Sequence, residues 1–370
     1  MAGIYIHIPF CKKACTYCDF YFSISLTQKE NYLEVLQKEI GERNTFFNAQ
    51  EKINTIYFGG GTPSILDKND IDTIIKSLSG NFKLVDVEEI TLECNPDDLS
   101  SEYLKKLEDT KINRLSIGVQ SFYDPYLKFM NRRHDSKKSM EVLDRIKHSR
   151  FSNYSIDIIF GVPGQTKDEL LRDLEIATNH NIPHISIYQL TYEPGTPLYY
   201  MLKKGRIGVQ PQNESEEQYE LIIEFLQNHG YEHYEVSNFA KPGMYSKHNT
   251  LYWKGEKYLG LGPGAHSYDG FLQRRWNYPN LKKYINAENY FEVEHLNETK
   301  IYNEIILTRL RTMWGISKNE FTGRYLEYFL QKSQTLIKSN YMKFENEMYK
   351  LSKKGMLIAD KIVEELFFEE

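Results

Sequence analysis

Residues 10–18 read FCKKACTYC and place three thiols, Cys11, Cys15 and Cys18, at the spacing C-x3-C-x2-C. They follow the apolar run IYIHI of residues 4–8, which predicts a buried strand. Because unligated thiols packed so closely invite oxidation, the triplet needs a bound partner. A disulfide joins only two of them, and a structural zinc ion needs a fourth ligand, which His7 could supply. Soft thiolates also select iron–sulfur clusters, and three thiolates on a four-iron cluster would leave one iron open.

Composition predicts one large α/β unit with an appendage in a chain of 370 residues. Hydrophobic residues at 41% and charged residues at 26% are typical of a soluble globular protein. A net charge of −5 gives no broad positive field for nucleic acid. Four cysteines fit a reducing compartment, and no membrane span or signal peptide is evident, so we expect a cytoplasmic protein. The isolated Cys94 is expected to be a small buried apolar residue.

Strand and helix patterns alternate along the first half of the chain. The apolar runs predict six buried strands, at residues 3–8, 53–58, 89–94, 114–119, 154–160 and 184–190. Capping boxes predict helix starts at Thr27, with Glu30, and at Thr166, with Glu169. Alternation of this kind implies a parallel sheet with right-handed crossovers. Six units rather than eight predict an α/β fold of the incomplete (β/α)6 barrel type, and an open doubly wound sheet fits the same pattern.

The composition changes towards the carboxyl terminus and suggests three regions. We expect a core domain over residues 1–235. Residues 236–298 are rich in Gly, Tyr, Asn and Pro and are expected to be irregular structure covering the barrel mouth. Residues 299–370 carry amphipathic helical patterns and predict a small, mainly helical C-terminal domain.

Candidate ligand residues follow several of the predicted strands, at the sheet edge where parallel α/β proteins bind ligands. The run GGGTP of residues 59–63 allows close backbone approach, or it forms a tight turn; it lacks the following Gly-Lys-Ser/Thr of a phosphate loop. Glu93 ends the third strand, and Gln120 follows the fourth. Arg132 lies farther along, and Asp157 lies within the apolar fifth strand, where its carboxylate needs a partner.

The cysteine spacing, with Tyr17 directly before the third thiol, resembles the signature of the radical S-adenosylmethionine (SAM) superfamily. The resemblance implies that Cys11, Cys15 and Cys18 bind a [4Fe-4S] cluster whose open iron chelates SAM. It also implies reductive cleavage of SAM to a 5′-deoxyadenosyl radical, for which the cofactors carry the difficult chemistry.

Further motifs resemble the coproporphyrinogen-dehydrogenase branch of that superfamily. They are YIHIPFC at residues 5–11, GGGTP at 59–63, GVQS at 118–121, NRR at 131–133 and D-x2-FG-x-P at 157–163. The resemblance implies that nine residues contact SAM: Tyr5, Tyr17, Gly60, Gly61, Thr62, Glu93, Gln120, Arg132 and Asp157. In the oxygen-independent oxidase of this branch, some of these positions serve a second SAM.

Two departures from the oxidase point to its close relatives, the HemW-like haem chaperones. The oxidase has a further cysteine where this chain has Phe20, and it has a long extension where only ten residues precede Cys11. In addition, the HNTLYW run of residues 248–253 resembles the haem-binding signature of the chaperones. That signature assigns haem to His248, Asn249, Tyr252 and Trp253, with an axial nitrogen from the histidine and flat apolar faces from the aromatic rings. Composition alone favours a packed and hydrogen-bonded histidine at this position, and His266 is a rival iron ligand.

These observations predict a haem chaperone that binds a [4Fe-4S] cluster, SAM and haem and delivers haem to acceptor proteins. The resemblance implies respiratory apo-proteins as acceptors, an electron donor, and peripheral contact with membrane proteins. The main alternative is an oxygen-independent coproporphyrinogen III oxidase, and a third is another radical SAM reaction.

Overall fold

Strands and helices alternate through the first half of the molecule. A computed structural model describes residues 1–369. In chain order its elements up to residue 203 are β1 (Ala2–Ile8), α1 (Lys29–Glu42), β2 (Ile53–Gly60), α2 (Lys68–Asn81), β3 (Glu89–Cys94), α3 (Ser101–Glu108), β4 (Arg114–Gln120), α4 (Asp124–Phe129), α5 (Ser136–Lys147), β5 (Tyr154–Phe160), α6 (Lys167–Asn179), β6 (His184–Gln189) and α7 (Pro197–Lys203).

The second half combines short strands with helices. Its elements are α8 (Gln212–Asn228), β7 (Glu232–Glu235), β8 (Asn238–Ala240), α9 (Lys247–Trp253), β9 (Lys257–Leu261), β10 (His266–Tyr268), β11 (Gln273–Asn277), α10 (Leu281–Ile285), β12 (Phe291–His295), α11 (Glu298–Arg309), β13 (Ile316–Ser317), α12 (Gly323–Lys338), β14 (Met342–Glu345), β15 (Met348–Leu351), α13 (Lys353–Met356) and α14 (Ala359–Leu366).

Strands β1 to β6 form the six-stranded parallel core that the sequence predicts. They lie side by side in chain order, each parallel to the next. Their side chains are buried almost throughout, for example Ile4, Ile6 and Ile8 on β1, because helices cover the outer face of the sheet. The sheet remains open, which confirms the incomplete (β/α)6 barrel.

The segment expected to be irregular, residues 236–298, instead contains five short strands and two short helices. Strand β9 pairs in parallel with β1, and β10, β11 and β12 extend that edge in antiparallel fashion. At the opposite edge, β8 and β7 extend the sheet beyond β6. The prediction was wrong there because these strands are three to five residues long and obtain their hydrogen bonds from distant segments. A Cβ on Gly260 would lie 2.0 Å from the His266 carbonyl oxygen, so the glycine permits this close strand contact.

The two predicted capping boxes have different outcomes. Thr166 caps α6 as predicted, with reciprocal bonds between it and Glu169. The predicted box at Thr27 is wrong: α1 begins at Lys29, and the Thr27 hydroxyl bonds to Ser25 Oγ at 2.9 Å.

The C-terminal region is mainly helical, as predicted, and has its own hydrophobic core. Phe329 at its centre is fully buried. Strands β14 and β15 form a hairpin with Asn346 and Glu347 at its turn, both with positive φ. Backbone bonds from Val236 and Met313 join this region to the core. Within residues 1–369, no helix is long and apolar enough to cross a membrane.

Candidate functional site

The carboxyl ends of the six parallel strands meet around one cavity of about 360 Å³. The three thiols of Cys11, Cys15 and Cys18 line it. It is also lined by eight of the nine residues expected to contact SAM, namely Tyr17, Gly60, Gly61, Thr62, Glu93, Gln120, Arg132 and Asp157. We refer to this space as the central cavity. Residues spread over almost 150 positions thus converge because parallel strands end at the same edge of the sheet.

Hydrogen bonds hold the loop that carries the thiols. The Cys11 amide donates to the Ser23 carbonyl at 2.9 Å, and Asn131 donates to the Ala14 carbonyl at 2.7 Å. Two of the sulfurs also accept bonds: Thr62 Oγ1 lies 3.3 Å from Cys11 Sγ, and Arg132 Nη1 lies 3.2 Å from Cys15 Sγ. Donors aimed at sulfur stabilise a thiolate, which is the form that binds metal.

The thiols themselves are free, and none forms a disulfide. Burial raises the pKa of Cys11 to about 11 and that of Cys18 to about 12. These thiols are therefore protonated at neutral pH without metal and would release their protons on binding it. In the part of the chain that the structure describes, no group of three His, Cys, Asp or Glu side chains is placed to hold a single metal ion. The cluster assignment of Cys11, Cys15 and Cys18 stays a prediction.

The glycine run after β2 packs so tightly that side chains cannot be added. Gly60 has φ +111°, and a Cβ there would lie 2.7 Å from the ring of His7. A Cβ on Gly61 would lie 2.8 Å from the Phe10 carbonyl oxygen. The glycines thus bring the end of β2 against the start of the cysteine loop, and they leave bare backbone at the wall of the central cavity.

Two partly buried carboxylates, Glu93 and Asp157, face the central cavity. Glu93 accepts from the Tyr57 hydroxyl at 2.8 Å and from the Gly60 amide at 3.1 Å. Burial, opposed by the Tyr57 bond, raises the pKa of Glu93 to about 7. Burial likewise raises the pKa of Asp157 to about 6, although Arg114 and Ser186 oppose it. Each carboxyl can therefore change its charge near neutral pH when a cation enters.

Gln120 and Arg132 lie where the backbone is constrained. Gln120, the last residue of β4, has φ +69°, an uncommon conformation for a residue with a side chain, and such positions often occur at functional sites. Arg132 is held by bonds of 2.6 Å from its Nη2 to Asn95 Oδ1 and to the Gly118 carbonyl. Asn95 also donates to Thr62 Oγ1 at 3.2 Å, so it connects the glycine loop to Arg132.

Sequence reasoning missed several residues of the central cavity, among them Asn95, Tyr188 and Gln189. Gln189 ends β6, so the rule that ligands bind at strand ends could have found it. Asn95 directly follows β3. The hydrogen bonds of its side-chain amide to Thr62 and Arg132 can be recognised only in the folded structure.

Tyr5, the ninth SAM candidate, does not line the central cavity, although it stacks on Tyr57, whose hydroxyl donates to Glu93. It lines a second depression of about 530 Å³, together with Tyr252, Tyr258, His266 and Trp276. We refer to this depression as the side groove. Asp19 and Phe20 line both the side groove and the central cavity, so the two spaces are neighbours.

The helix α9 carries the predicted haem motif, and its histidine faces the protein interior. His248 is 1% exposed, and both its ring nitrogens have partners: Thr55 Oγ1 lies 2.7 Å from Nδ1 and the Tyr252 hydroxyl 2.8 Å from Nε2. Burial, with a smaller contribution from Arg114, lowers the pKa of His248 to about 3. In this structure His248 thus has the geometry of a packed, hydrogen-bonded histidine.

The other three residues of the motif are partly exposed: Asn249, Tyr252 and Trp253. Of these, Tyr252 lines the side groove. The rival ligand His266 lies in the side groove and is exposed. Burial and the neighbouring Arg274 lower the pKa of His266. The ring of Tyr252 thus contacts His248 and lines the groove that contains His266, and the haem assignment stays a prediction.

Comparison with known proteins agrees with this geometry. Residues 5–177 match the model of the radical SAM superfamily. Over 334 residues, the chain is 39% identical to heme chaperone HemW of Bacillus subtilis, with 88% of this chain and 87% of that protein covered. The chain belongs to the HemW-like branch of the radical SAM superfamily. A second HemW-like protein, heme chaperone HemW of Lactococcus lactis, is 32% identical, and the match covers 99% of this chain and 97% of the relative.

A solved structure supports the fold of this HemW-like chain. Coproporphyrinogen III oxidase (HemN) from Escherichia coli superposes with a TM-score of 0.84 at 23% identity. The match covers 99% of this chain and 90% of that one. The two proteins therefore share a fold, including the C-terminal region.

Proposed function

We propose that this protein is a haem chaperone that binds a [4Fe-4S] cluster, SAM and haem and transfers haem to acceptor proteins. The observation that carries the proposal is the 39% identity to heme chaperone HemW over most of both chains. The central cavity supports it, since three soft thiols and eight expected SAM contacts share its wall.

The residues of the central cavity fit the cofactors. Cys11, Cys15 and Cys18 would hold the cluster, since they are free thiols and two of their sulfurs already accept hydrogen bonds. With SAM bound, such a cluster supplies one-electron reductive chemistry. The binding of an anionic cluster is favoured by Arg132, whose partly buried guanidinium contacts Cys15.

Polar groups around the cavity would position SAM. The Glu93 carboxylate can accept hydrogen bonds from an amine or from ribose hydroxyls, and Asp157 faces the same space. Gly60 and Gly61 present backbone to the ligand without a side chain in between. Tyr5 is the ninth proposed contact; it packs against Tyr57, whose hydroxyl donates to Glu93, and it lines the neighbouring side groove.

Haem is the cargo in this proposal, and α9 contributes to its site. Tyr252 and Trp253 offer apolar ring faces, and Asn249 lies on the same helix. Iron ligation by His248 requires that one ring nitrogen first leave its partner, Tyr252 at Nε2 or Thr55 at Nδ1, while the other nitrogen can keep its hydrogen bond. Respiratory apo-proteins as acceptors, an electron donor and peripheral contact with membrane proteins belong to the same proposal.

One anaerobic experiment distinguishes the chaperone from the decarboxylase. The protein is reconstituted with iron and sulfide, supplied with SAM and a reductant, and divided into two reactions. One receives haemin and an apo-cytochrome, and the other receives coproporphyrinogen III. The proposal predicts haem transfer in the first and no protoporphyrinogen in the second. Formation of protoporphyrinogen at catalytic rates, without haem transfer, would contradict it.

A further inference from the structure

The side groove is an open depression beside the central cavity. It has a volume of about 530 Å³, which lies within the ordinary range of small-molecule sites. The segment of Asp19 and Phe20 separates the two spaces and lines both. Phe20 is 68% exposed, so its ring is accessible to a ligand in either space.

His266 is the histidine available to a ligand in the side groove. It is exposed, and within residues 1–369 neither of its ring nitrogens has a hydrogen-bond partner. His7, at the same groove, has the Tyr5 hydroxyl at one nitrogen and the Tyr21 carbonyl at the other. His266 therefore has nitrogens free for a new bond, whereas His7 would first have to break existing ones.

The strand pairing fixes the His266 ring. His266 on β10 lies directly opposite Trp276 on β11 in the antiparallel ladder. Their ring centroids are 6.1 Å apart and the ring planes differ by 20°, so the indole packs along the imidazole. A ring held in this way keeps its orientation when a metal binds, which lowers the entropy cost of ligation.

The remaining walls are aromatic and suit a flat apolar ligand. Tyr252 and Tyr258 pack perpendicular to each other with centroids 4.6 Å apart, so they present a face and an edge to the groove. Tyr21 and Phe20 add two further rings. Because the groove is open, charged groups at the rim of a large planar ligand can remain in water.

We propose that the side groove is the haem-binding site and that His266 supplies an axial nitrogen to the haem iron. The assignment rests on the proposed function, because it takes an iron porphyrin to be the cargo. It places the cargo next to the central cavity, with Phe20 between the two. The motif on α9 then contributes through Tyr252, which lies between His248 and the groove.

The assignment is tested by anaerobic haemin titration of the cluster-reconstituted protein. Wild type is compared with His266→Ala, His266→Met and the control His295→Ala. His295 is an exposed histidine on the edge strand β12, outside the groove. The spectrum of the bound iron is recorded together with the affinity, and imidazole is added to each variant.

We expect His266→Ala to weaken haemin binding at least tenfold and to lose the nitrogen-ligand spectrum, which imidazole restores. His266→Met should bind haemin with the altered spectrum of a thioether ligand, and His295→Ala should match wild type. An unchanged spectrum in both His266 variants would overturn this assignment while leaving the proposed function intact. If wild type binds no haemin, the proposed function fails, and this assignment fails with it.

Discussion

Arg132 joins parts of the site that are far apart in the sequence. Its Nη1 donates to Cys15 Sγ, and its Nη2 donates to Asn95 and to the Gly118 carbonyl. Hydrogen bonds to charged groups contribute about 1.5–3 kcal/mol each, which corresponds to about tenfold to hundredfold in affinity. We therefore predict that Arg132→Lys weakens SAM binding to the reconstituted protein by at least about tenfold, as measured by equilibrium dialysis.

The neighbouring Arg133 provides the matched control. It pairs with Asp97 and Asp98, with 3.7 Å to the latter, and it does not line the central cavity. Arg133→Lys should bind SAM like wild type. Equal losses in the two variants would contradict a specific role for Arg132.

Glu93 should make SAM binding depend on pH. Its pKa is raised to about 7 by burial, so it is largely protonated at pH 6 and ionised at pH 8. If the carboxylate receives the cationic amine of SAM, affinity rises as pH increases through about 7 and then levels off. Glu93→Gln should remove this dependence, as measured by SAM titration from pH 6 to 8.5. A pH dependence that survives in Glu93→Gln would show that another group is responsible.

Most of the candidate residues in the central cavity could be predicted from the sequence. They belong to recognisable motifs, and the order of the parallel strands brings the ends of these motifs together. The prediction for Tyr5 stays untested: Tyr5 lines the side groove, although it lies on the same face of the sheet as Tyr57 and Glu93. The environment of His248 was also beyond local sequence: Thr55 is almost 200 residues away and becomes its partner only in the folded sheet.

At the level of elements, α1 and α6 start with the same sequence pattern but different caps. Thr166 accepts from the Glu169 amide at 3.2 Å, and Glu169 accepts from the Thr166 amide at 2.9 Å. The Thr27 hydroxyl makes no such bond to its helix. We predict that Thr166→Ala lowers the free energy of unfolding by about 1 kcal/mol and that Thr27→Ala leaves it nearly unchanged. Urea unfolding measures both, and equal losses would contradict the assigned caps.

The elements that the sequence predicted are those whose signals are local. Strands β1 to β6 are continuous apolar runs, because both faces of a parallel sheet are covered. Strands β7 to β12 are short and extend the two edges of the sheet. Each forms because a neighbouring strand supplies its hydrogen-bond partners, and its own residues carry little strand signal. Helix α2 was missed as well, because its capping box uses Asp67 and Asp70 instead of the commoner hydroxyl and glutamate.

At the scale of the whole molecule, buried titratable groups set the pH range of stability. Burial lowers the pKa of five histidines well below the usual value: His7, His134, His184, His233 and His248. Burial also raises the pKa of four carboxyls to about 6 or 7: Glu93, Asp157, Asp173 and Glu235. As pH falls from 6.5 to 4.5, these histidines take up protons in the unfolded state but not in the folded state, which favours unfolding. The four carboxyls take up protons in the folded state before they do so in the unfolded state, which favours folding.

These two effects nearly cancel between about pH 4.5 and 6.5. Below pH 4.5 the carboxyls of the unfolded state also become protonated. His184 and His248 have the lowest native pKa values, stay neutral in the folded protein and leave an uncompensated difference worth about 1.4 kcal/mol per proton and pH unit. We therefore predict that the stability of the apo-protein is greatest near pH 6.5, changes little down to about 4.5 and falls steeply below that. Urea unfolding from pH 3.5 to 8 tests this profile, and stability that persists to pH 3.5 would contradict it.

The central claim is that three thiols hold a four-iron cluster with one iron open to SAM. The most direct measurement is anaerobic reconstitution followed by iron and sulfide analysis and by EPR of the reduced protein with and without SAM. The account predicts about four iron and four sulfide per chain and a spectrum that shifts when SAM is added. Zinc bound in place of iron, or a cluster spectrum that is unchanged by SAM, would contradict it.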